Sequence, residues 1–473
     1  MATTDLLSLD RKIALAARAL DGWRATLPVE DRSDRDDPIA QWKDLANKTT
    51  VEAVGKSTLA PIPTVPPLLM PSGEVAAAAL LGSEDPLATL RPCVAGWCAH
   101  LAVARGLRDA TAARAAAMRD EHDSDAYGRA ASLRAMLRAL ARPRQAGGVP
   151  EPRAAAAIED LAPQMLDAIV DEENRRREAA DNFLGVARCC RDVDETGAVR
   201  ADALLAASAD EARDGLSWGL RANGRNAKGA TWVDVFAVRR AADLAEGWPS
   251  SLTPRWLAEL ARGTELLEGL NVDVKVDAGR LAPHADHAGL RLSPPTGAWT
   301  FAHALFALGV ALRLHGRDAR APFTVHSPVH DRRAYVLGEA FMALASSPIF
   351  HARARGLSRP KAEASARRLM TTRLLERRHL ALRVRLAREL ATSRRAFLDA
   401  FESLAPDALG GETPRALAAF LGAPGSLGPA EDLARLDALA EGDAFARALV
   451  ERFDDDWWRN PKAAAWIRDR CVR

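Results

Sequence analysis

Two histidines, His326 and His330, stand four residues apart, and Glu339 follows nine residues later. Two imidazoles and a carboxylate form a donor set for zinc, and on a helix this spacing would aim both rings at one ion. Pro328 lies between them, and a proline there removes a backbone donor and clashes with the preceding turn. The segment therefore reads as a loop with ordinary histidines; His326, His330 and Glu339 stand as the alternative metal set. His284 and His287 flank a turn, and His303 opens an apolar run, positions suited to local hydrogen bonding. Gly55-Lys56-Ser57-Thr58 imitates the end of a phosphate-binding loop, but Thr50 occupies the place of the required earlier glycine and no strand precedes it.

A sharper pattern lies in the apolar run itself. The segment Leu305-Phe306-Ala307-Leu308-Gly309-Val310-Ala311-Leu312 resembles the thimet-oligopeptidase-like zinc peptidases, in which His-Glu-Leu-Gly-His-Ala-Leu is usual. The Leu-Gly pair and the trailing Ala-Leu are kept. Phe306 and Val310 stand where the histidines would be, and Ala307 where the general base would be. Downstream, Leu337-Gly338-Glu339-Ala340-Phe341-Met342-Ala343-Leu344 resembles the helix that carries the third ligand, so that Glu339 matches its glutamate. Trp232-Val233-Asp234-Val235-Phe236 and Trp457-Trp458-Arg459-Asn460-Pro461 resemble bacterial members as well. The similarity covers roughly the last two-thirds of the chain.

The resemblance implies an oligopeptidase-like body whose metal site has decayed. A phenyl ring and an isopropyl group offer zinc no donor atom. The family's downstream tyrosine also lacks a counterpart, because the chain contains only Tyr127 and Tyr335. The expectation is a catalytically inactive member, with Phe306, Ala307, Val310 and Glu339 as the vestigial site. Trp299, His303 and Tyr335 are candidate binding residues, no cofactor is expected, and the channel that such a body encloses would bind a peptide or protein partner. Glu339 itself would face an apolar pocket, where a carboxylate needs either an arginine partner or a raised pKa.

The elements that must position these residues are helical. Ile158, Leu161, Met165, Leu166, Ile169 and Val170 recur at three, four and seven residues, and Leu375, Leu382, Leu386 and Leu390 repeat the stripe. Only Val272, Val274 and Val276, followed by His287–Leu292, read as strand. The predicted fold is mainly α, a large helical oligopeptidase-like body with one small β-sheet beside the former active-site helix. A proline- and glycine-rich stretch from Arg142 to Pro152 divides an N-terminal helical region, 1–150, from a body, 151–473.

Composition narrows the partners. Sixty-five basic and 63 acidic residues leave no overall field for nucleic acid or membrane. The N-terminus lacks the basic start and apolar stretch of a secretory signal, so a cytoplasmic location is expected. From Arg353 to Arg395, fourteen arginines and lysines face three glutamates. No aromatic side chain interrupts them to stack on bases, which makes nucleic acid unlikely and a solvated helix face the expectation. A structural or assembly protein, docking an acidic partner on Arg377, Arg378 and Arg385, is the second alternative, beside a hydrolase using the relocated metal set. Five cysteines make no metal-binding spacing and read as reduced thiols, the adjacent Cys189 and Cys190 included.

Overall fold

The computed structural model describes residues 3–27, 37–55, 87–122, 131–141, 151–181, 193, 195–228, 230–241, 244, 274–276, 282–293, 297–316, 322–425 and 427–469. Cys189, Cys190, Cys471, Tyr127, Val272 and the Lys56–Thr58 stretch lie outside them.

In chain order the helices are α1 (Thr3–Thr26), α2 (Lys48–Gly55), α3 (Leu87–Gly106), α4 (Arg108–Arg119), α5 (Leu133–Ala141), α6 (Glu151–Asp181), α7 (Glu195–Ala207), α8 (Ala209–Ala222) and α9 (Trp232–Arg239). There follow α10 (Ala298–His315), α11 (Phe323–His326), α12 (Arg332–Ala343), α13 (Pro348–Arg355), α14 (Arg359–Thr392), α15 (Arg394–Leu409), α16 (Pro429–Phe453) and α17 (Pro461–Ile467). A short antiparallel pair, β1 (Glu121–His122) and β2 (Ala131–Ser132), stands apart from the sheet built by β3 (Val274–Val276), β4 (His284–Asp286) and β5 (Gly289–Leu292). The fold is mainly α with this small sheet packed on α10.

The sheet order is β3-β5-β4, with β3 parallel and β4 antiparallel to β5. One detail departs from the sequence reading: His287 and Ala288 form the turn rather than a strand, and β4 is an extra edge. The Asp286 carboxylate accepts from the Ala288 and Gly289 amides at 2.8 and 3.1 Å, closing the hairpin that alternation alone did not reveal. Trp232–Phe236, despite its β-branched residues, is helical. Thr231 and Asp234 form a capping box there, with Asp234 accepting from the Thr231 amide at 3.0 Å.

Helix α10 is apolar on nearly every face and is buried accordingly, as its composition predicts. It crosses α12 at backbone contact. A Cβ on Gly309 would fall 2.4 Å from the Leu337 carbonyl oxygen, and one on Gly338 would fall 2.8 Å from the Phe306 ring. The two glycines thus set how closely these helices lie. Asp331 caps α12 by accepting from the Arg333 amide at 3.0 Å and is held by the buried Arg313 of α10, whose Nε donates at 2.9 Å.

One core surrounds α10, α12, the end of α16 and the C-terminal tryptophans: Phe341 meets Trp457 and Phe445 stacks on Trp466, with centroids 5.4 and 5.3 Å apart. A second joins α6 to α14 and α15, and a third joins α1 and α3 to Phe323. Contacts across residue 150 are specific. Asp10 of α1 caps α11, accepting from the Phe323 and Thr324 amides at 2.8 Å, and Arg114 of α4 donates to Glu172 of α6 at 3.0 Å. Cys98 is buried and Cys93 half-buried; burial pushes their thiols up to about 12 and about 11, so neither is a ready nucleophile. Among the described residues, no helix is long and apolar enough to cross a membrane.

Candidate functional site

The packing of α10 against α12 leaves a cavity of about 600 Å³ along their outer side, closed by α14 and α16 and reached by β4 and the N-terminal helices. Phe306, Ala307, Val310 and Glu339 all line it, as do Trp299, His303 and Tyr335. Three residues of α10 three or four positions apart, Trp299, His303 and Phe306, share one helix face.

The residues at the resembled ligand positions do not fit zinc. Phe306 presents its ring, Ala307 a methyl group and Val310 an isopropyl group, none with a donor atom. Among the described residues, no group of three or more His, Cys, Asp or Glu side chains converges to hold a metal ion. The relocated set is drawn apart as well. His326 is locked on the guanidinium of Arg313 at 2.8 Å, His330 faces the ring of His100 at 5.6 Å, and Glu339 belongs to another network. The break comes from the chain path: α11 ends at His326, and His330 sits at φ +55° in the connection to α12.

Glu339 has the arginine partners that a buried carboxylate requires. Arg373 and Arg377, one turn apart on α14, donate to its Oε2 at 3.1 and 3.0 Å, and both also reach Asp443 of α16. Burial alone would raise the Glu339 carboxyl, but the two guanidiniums outweigh it and hold the group below its ordinary value. The same pairs hold Asp443 low and push Arg377 up. Glu339 is therefore an anchored anion whose oxygens are already engaged.

Further along α14, Glu376 pairs with Arg239 of α9 at 3.1 Å and accepts from the Trp299 indole at 3.3 Å. Burial opposes its ionisation, yet Arg239, His303 and Arg240 bring it down to about 2. His303 lies against Trp299 with centroids 4.0 Å apart; burial, with the charges of Arg240 and Arg435, brings it down to about 4, so the ring is neutral near pH 7. Tyr335 donates to Glu431 at 3.3 Å; burial pushes the phenol well above its ordinary value and raises Glu431 too. Asp432 is taken by Arg383.

Arginines that sequence reasoning assigned to a solvated or docking face thus turn inward. Arg377 engages Glu339 and Asp443. Arg378 is 1% exposed and spends its donors on the Ala408 and Asp407 carbonyls at 3.1 and 2.8 Å, while Arg385 is taken by Asp202 and Glu389. Arg377, Arg378 and Arg385 are thus engaged within the chain, while Arg359, Lys361, Arg367 and Arg388 of the same helix are exposed. The signal lay in the spacing: Arg373, Glu376, Arg377, Leu380 and Arg383 follow a helical three–four rhythm on a face opposite the leucine stripe. Arg239, Arg240, Arg435 and Glu431 had no comparable pattern.

No protein-family model and no curated protein matches the sequence. Among solved structures, a carboxypeptidase of Pyrococcus furiosus aligns over 100% of this chain and 93% of its own, at 13% identity and a TM-score of 0.45. That likeness is too slight to carry any statement about the site.

Proposed function

We propose that the chain is a peptide-binding protein on a peptidase-like helical body that does not hydrolyse peptides by a zinc mechanism. One observation carries the reading: the cavity is open at Phe306, Val310 and Glu339, and of these side chains at the resembled ligand positions only Glu339 offers zinc a donor. Had the site decayed without use, apolar side chains would be expected to close over it, since interiors pack without voids larger than a water. Here the space is retained and its carboxylate is held in place by two arginines.

The shape suits an extended chain. Edge strand β4 lines the cavity through His284, Ala285 and Asp286, and an edge strand supplies backbone groups that pair with a peptide whatever its sequence. Opposite it, Trp299, Phe306 and Val310 give apolar contact. Bound segments would be positioned without a water activated for attack, because Glu339 cannot serve as a base while two guanidiniums stabilise its ionised form.

The test uses the full-length protein purified without chelators and a pool of unstructured peptides of eight to twelve residues. Peptides are expected to co-elute on gel filtration, intact by mass spectrometry and unaffected by added zinc. Failure of any peptide to co-elute refutes the binding reading. Zinc-dependent cleavage products, abolished by Glu339→Gln, refute the inactive one.

A further inference from the structure

Around this cavity most carboxylates are matched to arginines, Glu431 being an exception, and two arginines are in no ion pair. Glu339 is taken by Arg373 and Arg377, Glu376 by Arg239, and Asp432 by Arg383, while Glu431 accepts from Tyr335. Arg240 and Arg435 make no ion pair and no side-chain hydrogen bond among the described residues. Each has its guanidinium carbon over an aromatic ring of α10 instead, Arg240 3.5 Å from the Trp299 centroid and Arg435 4.8 Å from that of Phe306. His303 sits on α10 between those two rings, and its Nε2 is buried without a partner. All three groups line the cavity, and His303 feels the charge of both arginines.

Such an arrangement is costly without a ligand. Both arginines are half-buried and the Nε of each is buried without a partner, a loss of hydration that the ring contact offsets only in part. Arg240 shows the strain: burial brings its pKa down to about 9, with Glu376 offsetting only part of that. Arg435 feels Glu431, Asp432 and Glu339 without touching them, and they hold it up. Contact with an aromatic face restricts each guanidinium and leaves it with donors that no protein group takes.

We propose that Arg240, His303 and Arg435 form an oxyanion subsite that receives a carboxylate or phosphate group carried by the cavity's ligand. The two guanidiniums supply the charge and the forked donors, and neutral His303, in the tautomer protonated at Nε2, adds a third hydrogen bond. Carboxylate and phosphate share the chemistry that this set recognises, a planar or tetrahedral group of anionic oxygens. The subsite stands on these residues and not on the peptide reading.

The experiment is calorimetric titration of the full-length protein with three probes: inorganic phosphate, N-acetyl-tetraalanine with a free carboxylate, and the same peptide as its C-terminal amide. At least one anion should bind about tenfold or more tightly than the amide, the size of a charge-assisted hydrogen bond. Arg240→Gln and Arg435→Gln should each weaken that anion by about the same factor and leave the amide unchanged. Should a glutamine variant fail to fold by circular dichroism, the acid-to-amide ratio of the native protein decides alone. Equal binding of acid and amide, with phosphate no tighter than either, overturns the subsite and keeps the peptide reading. Phosphate binding with neither peptide bound keeps the subsite and discards the peptide. Anion binding unchanged in both folded variants, or no binding by any probe, overturns the subsite.

Discussion

Helices α10 and α14 form two walls of the same cavity and are chemical opposites. On α10 the cavity-lining positions 306, 307 and 310 carry a phenyl ring, a methyl group and an isopropyl group. On α14 one face presents Arg373, Glu376, Arg377 and Arg383, each tied to a partner across the space. The contrast teaches where polarity is held in this fold: α10 provides shape and α14 provides charge. A buried charge can be kept only where a partner is placed: α14 finds partners on α9, α12 and α16, while the one arginine of α10, Arg313, is held by Asp331.

The comparison breaks most visibly if the charged wall is stripped. Arg373→Met with Arg377→Met leaves Glu339 buried and unpaired, and a loss of about 3–5 kcal/mol in denaturant-unfolding stability is expected. The same network sets the acid edge. The Glu339 and Asp443 pKa values are lowered in the folded state, so their stabilisation is full above the ordinary carboxylate range and disappears as pH falls through the lowered values. His303 acts in the same sense at higher pH. Its folded value of about 4 lies below the unfolded ~6.5, so stability falls as pH drops between them, and His303→Gln should flatten that stretch of the unfolding-midpoint profile.

The apolar wall has its own test in Gly309→Ala, whose methyl would meet backbone rather than a side chain that can move aside. About 1–3 kcal/mol of destabilisation, read by thermal unfolding, is expected. A smaller effect sharpens the division of labour. Installing donors with Phe306→His and Val310→His should give a weak zinc site while Arg373 and Arg377 engage Glu339. Adding Arg377→Ala should tighten zinc about tenfold by titration, the scale on which groups around a ligand alter metal affinity. Smallest of all, Trp299→Phe removes one indole donor from Glu376 and should cost about 1 kcal/mol by denaturant unfolding.

Much of this was legible in the sequence. The leucine stripes of α6 and α14 and the uniform apolarity of α10 announced helices and their burial, and the two Leu-Gly pairs marked the segments that meet. The expectation that Glu339 requires an arginine followed from desolvation alone, and Arg373 and Arg377 meet it. What stayed hidden depends on long-range placement. Arg240 and Arg435 lie 195 positions apart in the chain, and nothing local distinguishes them from surface arginines. The inward arginines of α14 could not be told from its solvated ones, because periodicity locates a face but does not say what covers it. Strand β4 is three residues long, too short for alternation to register.

The cap that Asp10 places on α11 joins residues 313 positions apart. In that core Leu6, Ile13 and Leu20 are covered by α3 as well as by Phe323, so α1 and α3 can begin a cluster that only α11 completes. The cap at Asp10 is the polar clasp on that last piece, and it closes a loop most of the chain long.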